Sequence, residues 1–310
     1  MDISTQLSLF STRFLGIFIE AVSFLLLGTL VSGLIEVFLR KEDIARLMPR
    51  NPITAIFAGS FLGFLFPVCE CGVVPVTRKL YQKGLPVSVG IAFLLAAPVM
   101  NPIVFASTYA AFGFGPILIG RYVITFIMAV SVGLLFTLQR NPLRMLNPKA
   151  LVVASGASGD LPVQSAERIT LASGLVRAIR LAIDEFFDMG RYLVIGTALA
   201  AGMQTFVAQD ALRAVATNPV ISVWAMAGMA FLLSVCSTTD AILALSFANP
   251  LNGFTTGSIL TFLTFGPMVD IKSALMYTGV FKRRIVVYMM ILPLLISVLI
   301  GIFLNLNVRF

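Results

Sequence analysis

The sequence contains no histidine, which removes the commonest metal ligand and the only side chain whose unperturbed pKa lies near neutrality. Its three cysteines are too few to form a disulfide framework. It also lacks a glycine-rich phosphate loop with its lysine, and it has no quinone or haem motif. These absences argue against nucleotide binding, and we expect no cofactor and no resident metal site.

Charged residues are also scarce, at 12%, whereas 58% of the residues are hydrophobic and the mean hydropathy is +0.98. One soluble core could not bury that much apolar surface, so the composition predicts an all-α polytopic membrane protein. The net charge of +8 comes from basic residues in short loops between apolar spans, which indicates membrane orientation rather than nucleic-acid binding. Residues 1–12 have no basic region before the apolar run, so we expect the first span to be retained.

Two thiols and one carboxylic acid interrupt the apolar run of residues 66–75, namely Cys69, Glu70 and Cys71. Prolines in this run deny backbone hydrogen bonds, and an ionisable side chain at membrane depth costs about 2.5–3.5 kcal/mol on insertion scales. Such residues usually face a cavity or a partner group. We therefore take this run as the first candidate site.

Basic clusters flank the segment that carries these residues, which spans residues 53–77. The first cluster comprises Arg40, Lys41, Arg46 and Arg50, and the second comprises Arg78, Lys79 and Lys83. A full crossing would put the two clusters on opposite faces of the membrane, against the positive-inside tendency. A re-entrant hairpin that turns at residues 69–75 would keep both clusters in the cytoplasm. The charges favour the hairpin, although the length of the segment also allows a full crossing.

A second broken segment spans residues 85–109. Pro98 and Pro102 remove helix hydrogen bonds, and Asn101 can hydrogen-bond locally in a turn. We therefore predict a discontinuous helix here, followed by an uninterrupted span over residues 116–138.

The middle of the chain is more polar. Residues 147–164 are typical of a flexible linker, and residues 167–187 predict an amphipathic helix along the membrane surface. We divide the chain into a first membrane repeat (1–140), a cytoplasmic linker with the amphipathic helix (141–185) and a second membrane repeat (186–310).

The second half repeats landmarks of the first half at a nearly constant spacing. The matching pairs are Asn51 and Asn218 (218 − 51 = 167), Cys69 and Cys236 (236 − 69 = 167), Gly28 and Gly196 (196 − 28 = 168), Pro98 and Pro267 (267 − 98 = 169), and Asn101 and Asp270 (270 − 101 = 169). Several matching pairs that occur in the same order along both halves predict an internal duplication. Each half would hold three crossings and one re-entrant hairpin, and an odd number of crossings inverts the second copy. Inverted repeats with broken helices near the midplane are typical of secondary transporters.

The second predicted hairpin differs from the first in its chemistry. It carries Cys236, but Ser237 stands where the first copy has Glu70, and its acid, Asp240, comes three residues later. If both hairpin tips reach the midplane, the three cysteines converge, with the acids Glu70, Asp240 and Asp270 around them.

Several of these motifs resemble a known family. They are residues 67–75 (Pro-Val-Cys-Glu-Cys-Gly-Val-Val-Pro), 83–86 (Lys-Gly-Leu-Pro), 97–102 (Ala-Pro-Val-Met-Asn-Pro) and 265–270 (Phe-Gly-Pro-Met-Val-Asp). They are similar to those of the bacterial permease family that includes the organoarsenical efflux protein ArsP. The resemblance implies a multi-pass exporter of the bacterial inner membrane without an ATPase domain. It also implies trivalent methylated or aromatic arsenicals as substrates of the named members.

The candidate site residues follow from the motifs and from the predicted symmetry. Substrate binding is assigned to Cys69, Cys71, Cys236, Asn101, Pro98 and Pro267, and proton coupling to Glu70, Asp240 and Asp270. Thiolates are soft ligands that prefer soft centres, which suits trivalent arsenic. The structural alternatives are that the cysteines act as small buried hydrophobes and that the acids pair with basic residues or cap helices.

Three functions remain open on the sequence. The first is a permease that exports trivalent organoarsenicals or a similar soft small solute by alternating access, coupled to protons. The second is a permease for a small anion or a sulfur-containing metabolite, with half-helix N-termini near Pro98 and Pro267 as positive dipole ends. The third is a membrane thiol oxidoreductase, which ranks lowest because Cys69 and Cys71 lack the Cys-x-x-Cys spacing. The expected partners are a small-molecule substrate and the lipid bilayer, and no enzymatic activity is expected from the leading function.

Overall fold

The computed structural model describes residues 3–49, 51–65, 69–139, 145–147, 171–206, 218–248 and 254–307. All regular elements within these ranges are α-helices, which confirms the predicted helical class. In chain order they are α1 Ile3–Phe38, α2 Lys41–Leu47, α3 Pro52–Leu65, α4 Glu70–Gln82, α5 Val87–Ala96, α6 Pro102–Phe112, α7 Pro116–Thr137, α8 Leu171–Phe206, α9 Pro219–Leu233, α10 Asp240–Phe247, α11 Thr256–Phe265, α12 Ile271–Val280 and α13 Arg283–Asn307.

Helix length separates the elements into two kinds. Among the described residues, three helices are long and apolar enough to cross a membrane, over Ser4–Phe38, Pro116–Thr137 and Arg283–Asn307. The apolar helices α3, α5, α6, α9 and α11 have only 10–17 residues. Because crossing the hydrocarbon core takes about 20 residues, each of these shorter helices needs a second one to complete a crossing.

The breaks between α5 and α6 and between α11 and α12 have the same local cause. Pro98 lies in the turn after α5, and the side chain of Asn101 caps α6 by accepting a hydrogen bond from the backbone N–H of Val104 at 2.8 Å. Asp270 caps α12 in the same way, accepting from the backbone N–H of Ser273 at 2.7 Å. The break expected at residues 97–102 therefore lies where α5 ends and α6 begins.

Contacts between α3 and α5 show that these two helices run in the same direction. A Cβ atom on Gly59 would lie 2.6 Å from Val89, and one on Gly63 would lie 2.5 Å from Ala97, so residue numbers rise together along the pair. Helix α4 connects the end of α3 to the start of α5, and it therefore runs back toward the end where α3 began.

The position of this turn differs from the sequence-based prediction of residues 69–75. Helix α4 already begins at Glu70, with Cys69 as its N-cap and Pro75 inside it. The prediction placed the turn too late because it took Pro75 as a helix breaker, whereas packing of α4 against its neighbours tolerates the lost hydrogen bond. Within the turn only Cys69 belongs to the described residues.

The order and lengths of the helices repeat along the chain. Helices α1 and α8 each have 36 residues and start 168 residues apart (171 − 3 = 168). Helices α5 and α11 start 169 residues apart (256 − 87 = 169), as do α6 and α12 (271 − 102 = 169). These helix spacings match those of the sequence landmarks.

Helix α8 departs from the predicted amphipathic surface helix. It continues without interruption from Leu171 to Phe206, through the predicted end at residue 187 and the proposed boundary at 185 and 186. Its exposed charges gave it an amphipathic pattern, but the helix is the counterpart of α1 and packs along it. Residues 148–170 of the predicted linker lie outside the described ranges.

The matching helices α1 and α8 lie against each other in opposite directions. Near the start of α1, the guanidinium of Arg13 donates to the carbonyl of Gln204, near the end of α8. Farther along α1, Gly33 faces Ala178, near the start of α8. The two counterparts are therefore antiparallel.

An ion-pair cluster joins α4 to α8. The Arg78 guanidinium lies 3.2 Å from Glu185 and 2.6 Å from Asp188, and the Lys79 ammonium lies 3.7 Å from Glu185. The sequence predicts a cytoplasmic basic cluster of Arg78, Lys79 and Lys83 at the end of this segment, and the first two side chains are buried. Helix α4 extends to Gln82 and turns them toward the acids of α8.

Candidate functional site

Cysteines from both halves of the chain meet at one buried cluster. One side-chain ligand atom each from Cys69, Glu70 and Cys236 lies within 4.8 Å of the other two. Cys71 follows in the first turn of α4, close enough for its thiol to interact with that of Cys69. All three cysteines are free and at most 3% exposed. We call Cys69, Glu70, Cys71 and Cys236 the thiol cluster.

Two similar backbone turns present Cys69 and Cys236. The carbonyl of Cys69 accepts hydrogen bonds from the backbone N–H groups of Gly72 and Val73, at 3.1 and 3.0 Å. The carbonyl of Cys236 accepts from those of Thr239 and Asp240, both at 3.0 Å. Each cysteine therefore lies in the turn that leads into the next helix, α4 for Cys69 and α10 for Cys236.

The turn before Cys236 contains a strained residue. Ser234, which ends α9, has φ 46° and is the single non-glycine residue with positive φ among those described. A left-handed conformation is unfavourable for a residue with a side chain, and such outliers cluster at functional sites. The hydroxyl of Ser234 accepts a hydrogen bond from the backbone N–H of Ile271 at 3.4 Å, which ties this turn to the start of α12.

A buried lysine links the thiol cluster to the broken helix at Asp270. The Nζ atom of Lys272 lies 3.4 Å from Oε1 of Glu70 and 3.4 Å from Oδ2 of Asp270. All three side chains are at most 2% exposed. Two carboxylates therefore share one ammonium group in a region where uncompensated charge is costly.

Lys272 and Asp270 meet because the helix starts between them. Residues two apart on a helix point to different faces, so Asp270 and Lys272 could not pair within one continuous helix. Asp270 has extended backbone, with φ −133° and ψ −179°, and the helix begins only at Ile271. This extended residue allows the ammonium group to reach back to the carboxylate.

A second buried ion pair joins Asp240 to Arg121, so Asp240 does not share Lys272 with Glu70 and Asp270. The Arg121 guanidinium lies 2.6 Å from Oδ2 of Asp240 and donates to the hydroxyl of Thr108 at 2.8 Å and to the carbonyl of Ser237 at 3.3 Å. Arg121 is fully buried. The contacts connect α7 to the start of α10 and to α6.

Sequence reasoning missed Arg121 because residues 116–138 looked like an uninterrupted span. The signal was present, since Arg121 is the one charged residue in Pro116–Thr137. A single charge within an apolar span usually faces a buried partner. Applying that rule to Arg121 would have identified this residue as a site candidate.

Three predicted substrate-binding residues lie in the broken segments rather than among the thiols. Asn101 caps α6, and its carbonyl accepts a hydrogen bond from the hydroxyl of Tyr122 at 3.0 Å. Pro98 and Pro267 occupy the corresponding buried turns after α5 and α11. The described hydrogen bonds of Asn101 support a structural role, and the substrate role of these three residues stays a prediction.

Broken apolar helices and buried ion pairs are typical of an α-helical membrane protein, and the family comparison gives its class as a permease. Residues 6–306 match the model of the family ArsP_1, described as a predicted permease, and the chain belongs to this family. This membership confirms the resemblance noted in the motifs.

Two relatives are similar to nearly the whole chain. The UPF0718 protein YcgR of Bacillus subtilis is 42% identical over 295 residues, which cover 93% of this chain and 94% of the relative. A Streptococcus mutans protein named as a two-component membrane permease complex subunit is 36% identical over 278 residues, which cover 88% and 87%. No solved structure matches the chain at a significant level.

Proposed function

We propose that the chain is a secondary-transport permease that moves a small, thiol-binding solute by alternating access, with trivalent organoarsenicals as the leading candidates. The observation that carries the proposal is the buried meeting of Cys69 with Cys236, one from each half of the chain. Membership of a permease family supports transport, and soft thiol ligands support a soft substrate.

The proposed architecture is a pair of inverted repeats in a bacterial inner membrane, each with three crossings and one re-entrant hairpin. The antiparallel contact of α1 with α8 and the parallel contact of α3 with α5 support it. The segment after α7 also meets the start of α13, where the backbone N–H of Lys282 donates to the carbonyl of Met145 at 3.0 Å. The C-terminal end of α7 is therefore on the same side of the molecule as the N-terminal end of its counterpart α13, as expected for inverted copies.

The thiol cluster suits a trivalent arsenic centre that bears one organic group and two hydroxyl groups. Two thiols displace the two hydroxyls, so that two As–S bonds form, two As–O bonds break and two water molecules leave. Cys69 is central to this step because its thiol lies within 4.8 Å of that of Cys236 and is two residues from Cys71 in the same helix turn. Reversal of the same exchange with water releases the substrate on the other side.

Proton coupling is assigned to the acids Glu70 and Asp270, with Asp240 as a further candidate. Protonation of Glu70 would free Lys272 to pair with Asp270 alone, which changes the contacts between α4 and α12. Ionisable groups buried within membrane segments commonly serve as proton relays. A proton taken up at Glu70 could therefore alter the packing of the two halves.

The small-anion alternative is less well supported. The buried cations Lys272 and Arg121 lie next to the starts of α4 and α10, and each is already paired with a carboxylate. Little positive charge is left to attract an anion.

We also propose that the chain works with a second membrane subunit, since the Streptococcus relative is named as part of a two-component complex.

Flux measurements test the proposal. The purified protein in lipid vesicles should transport a trivalent phenylarsenical, and transport should be abolished by Cys69→Ser and strongly reduced by Cys236→Ser. Ser11→Ala, at an exposed position of α1, is the control for expression and reconstitution. Undiminished transport by both cysteine variants would refute the thiol role.

A further inference from the structure

The thiol cluster contains more converging donors than an organoarsenical with two exchangeable positions can use. Cys69, Glu70 and Cys236 offer three ligand atoms within 4.8 Å of one another, and Cys71 lies beside Cys69. In a tetrahedral zinc site with bonds of about 2.3 Å to sulfur, two sulfur atoms lie about 3.8 Å apart. The observed spacing is therefore within small side-chain movements of such a site.

One carboxylate oxygen of Glu70 is available as a ligand. Oε1 of Glu70 contacts Lys272, whereas Oε2 is buried and has no hydrogen-bond partner among the described residues. A buried polar atom without a partner is costly, and a bound ion or water is one arrangement that satisfies it. This observation is independent of the spacing of the thiols.

The burial of the cluster is compatible with a bare ion in the conformation described. Its four side chains are at most 3% exposed, so an organoarsenical would enter only in a conformation in which the helices separate. A single ion needs only the space between the donor atoms.

We propose that Cys69, Cys236 and Glu70 bind a thiophilic divalent cation of the Zn²⁺ and Cd²⁺ type, as cargo of the permease. The claim that the ion is transported rests on the proposed function, whereas the claim that it binds rests on the geometry alone. The absence of histidine argued against a metal site on the sequence, but two thiols and a carboxylate are sufficient ligands for these ions.

The charge balance supports binding in this buried place. The cation replaces the protons of two thiols, so that two M–S bonds form and two protons leave for solvent. Before binding, the two thiols are neutral, and Glu70, Asp270 and Lys272 together carry one net negative charge. After binding, the two positive charges of the ion cancel the charges of the two thiolates, so the site still carries one net negative charge. Lys272 then pairs with Asp270, which it already contacts at 3.4 Å. The exchange of one divalent cation for two protons therefore adds no net charge to the membrane interior.

Equilibrium binding to the purified full-length protein in detergent tests the inference. With Cd²⁺ as the probe, we expect one ion per chain, a cadmium–thiolate charge-transfer absorption and release of about two protons per ion. Affinity should fall at least about tenfold in Cys69→Ala, Cys236→Ala and Glu70→Gln. Glu42→Gln, which removes an exposed acid of α2, is the matched control.

A second measurement avoids reliance on variants that fail to fold. X-ray absorption of the Zn²⁺-loaded protein should show two sulfur ligands at about 2.3 Å and further oxygen ligands. Coordination by nitrogen and oxygen alone, or binding undiminished in Cys236→Ala, would overturn the site.

Parallel phenylarsenical flux separates this inference from the proposed function. If arsenical flux persists while Cd²⁺ fails to bind, the cation site is wrong and the proposed function stands. If Cd²⁺ binds as expected while vesicles transport neither Cd²⁺ nor the arsenical, the site stands and its role as a transport site is wrong.

Discussion

The ammonium group of Lys272 lies 3.4 Å from the carboxylate of Glu70, although the two residues are 202 positions apart and belong to different halves of the chain. Glu70 begins α4 and Lys272 lies in the first turn of α12, so the contact joins the N-terminal ends of two helices. Both side chains are 2% exposed. The ion pair therefore couples the two halves next to the thiol cluster.

We expect Lys272→Gln to destabilise the protein strongly, because it leaves the carboxylates of Glu70 and Asp270 buried without a cation. Removing one partner of a buried pair typically costs about 3–5 kcal/mol. Thermal unfolding in detergent measures the loss. The double variant with Glu70→Gln should recover part of the stability, since it removes one unpaired charge. A single variant as stable as the wild type would show that the pair does not hold the halves together.

The Arg121–Asp240 pair should show strong energetic coupling. Arg121→Gln and Asp240→Asn each leave a buried charge unpaired, whereas the double variant leaves none. In a double-mutant cycle on thermal stability, the double variant should therefore be less destabilised than the two single effects predict together. Additive effects would indicate that the 2.6 Å contact contributes little.

Close packing of α1 on α4 predicts a large effect at Gly28. A Cβ atom there would overlap the backbone of Gly72, directly after Cys71. Gly28→Ala should push α4 away, lower stability by about 1–3 kcal/mol and weaken ligand binding at the thiol cluster. Gly16→Ala is the matched control, because nothing lies within 4 Å of its added Cβ. Equal behaviour of the two variants in unfolding and binding would contradict the packing argument.

The paths of α3 to α6 predict which loops share a membrane face. In a cysteine-free background, single cysteines at Glu42 and Pro86 should react with an impermeant reagent from the same face. A cysteine at the exposed Phe114 should react from the opposite face, because α5 and α6 together complete a crossing. If the cysteines at positions 42 and 86 were instead labelled from opposite faces, residues 52–82 would have to cross the membrane fully.

The helical class and the positions of the breaks were predictable from local chemistry. Proline and a side-chain cap act within a few residues, so Pro98, Asn101 and Asp270 could be assigned to breaks from the sequence alone. The repeat spacing also identified Cys69 and Cys236 as equivalent. Their roles in transport stay predictions.

The uninterrupted course of α8 could not be predicted in the same way. Its charged residues gave an amphipathic pattern, and the same pattern suits a surface helix or a helix whose acids pair with a neighbour. The choice depended on Arg78 and Lys79, which are 107 (185 − 78) and 106 (185 − 79) residues away in the chain and contact Glu185 across the helix interface.

The sequence by itself determined a membrane-embedded helical chain with thiols and acids at its breaks, because composition and helix termination are local properties. Only the tertiary structure decided which of those groups meet. It placed Cys236 and Lys272 beside Glu70, and it paired Asp240 with Arg121 instead. The physical reason is that a buried charge must find its partner in space, and packing of the two halves, rather than distance along the chain, sets which partner is within reach.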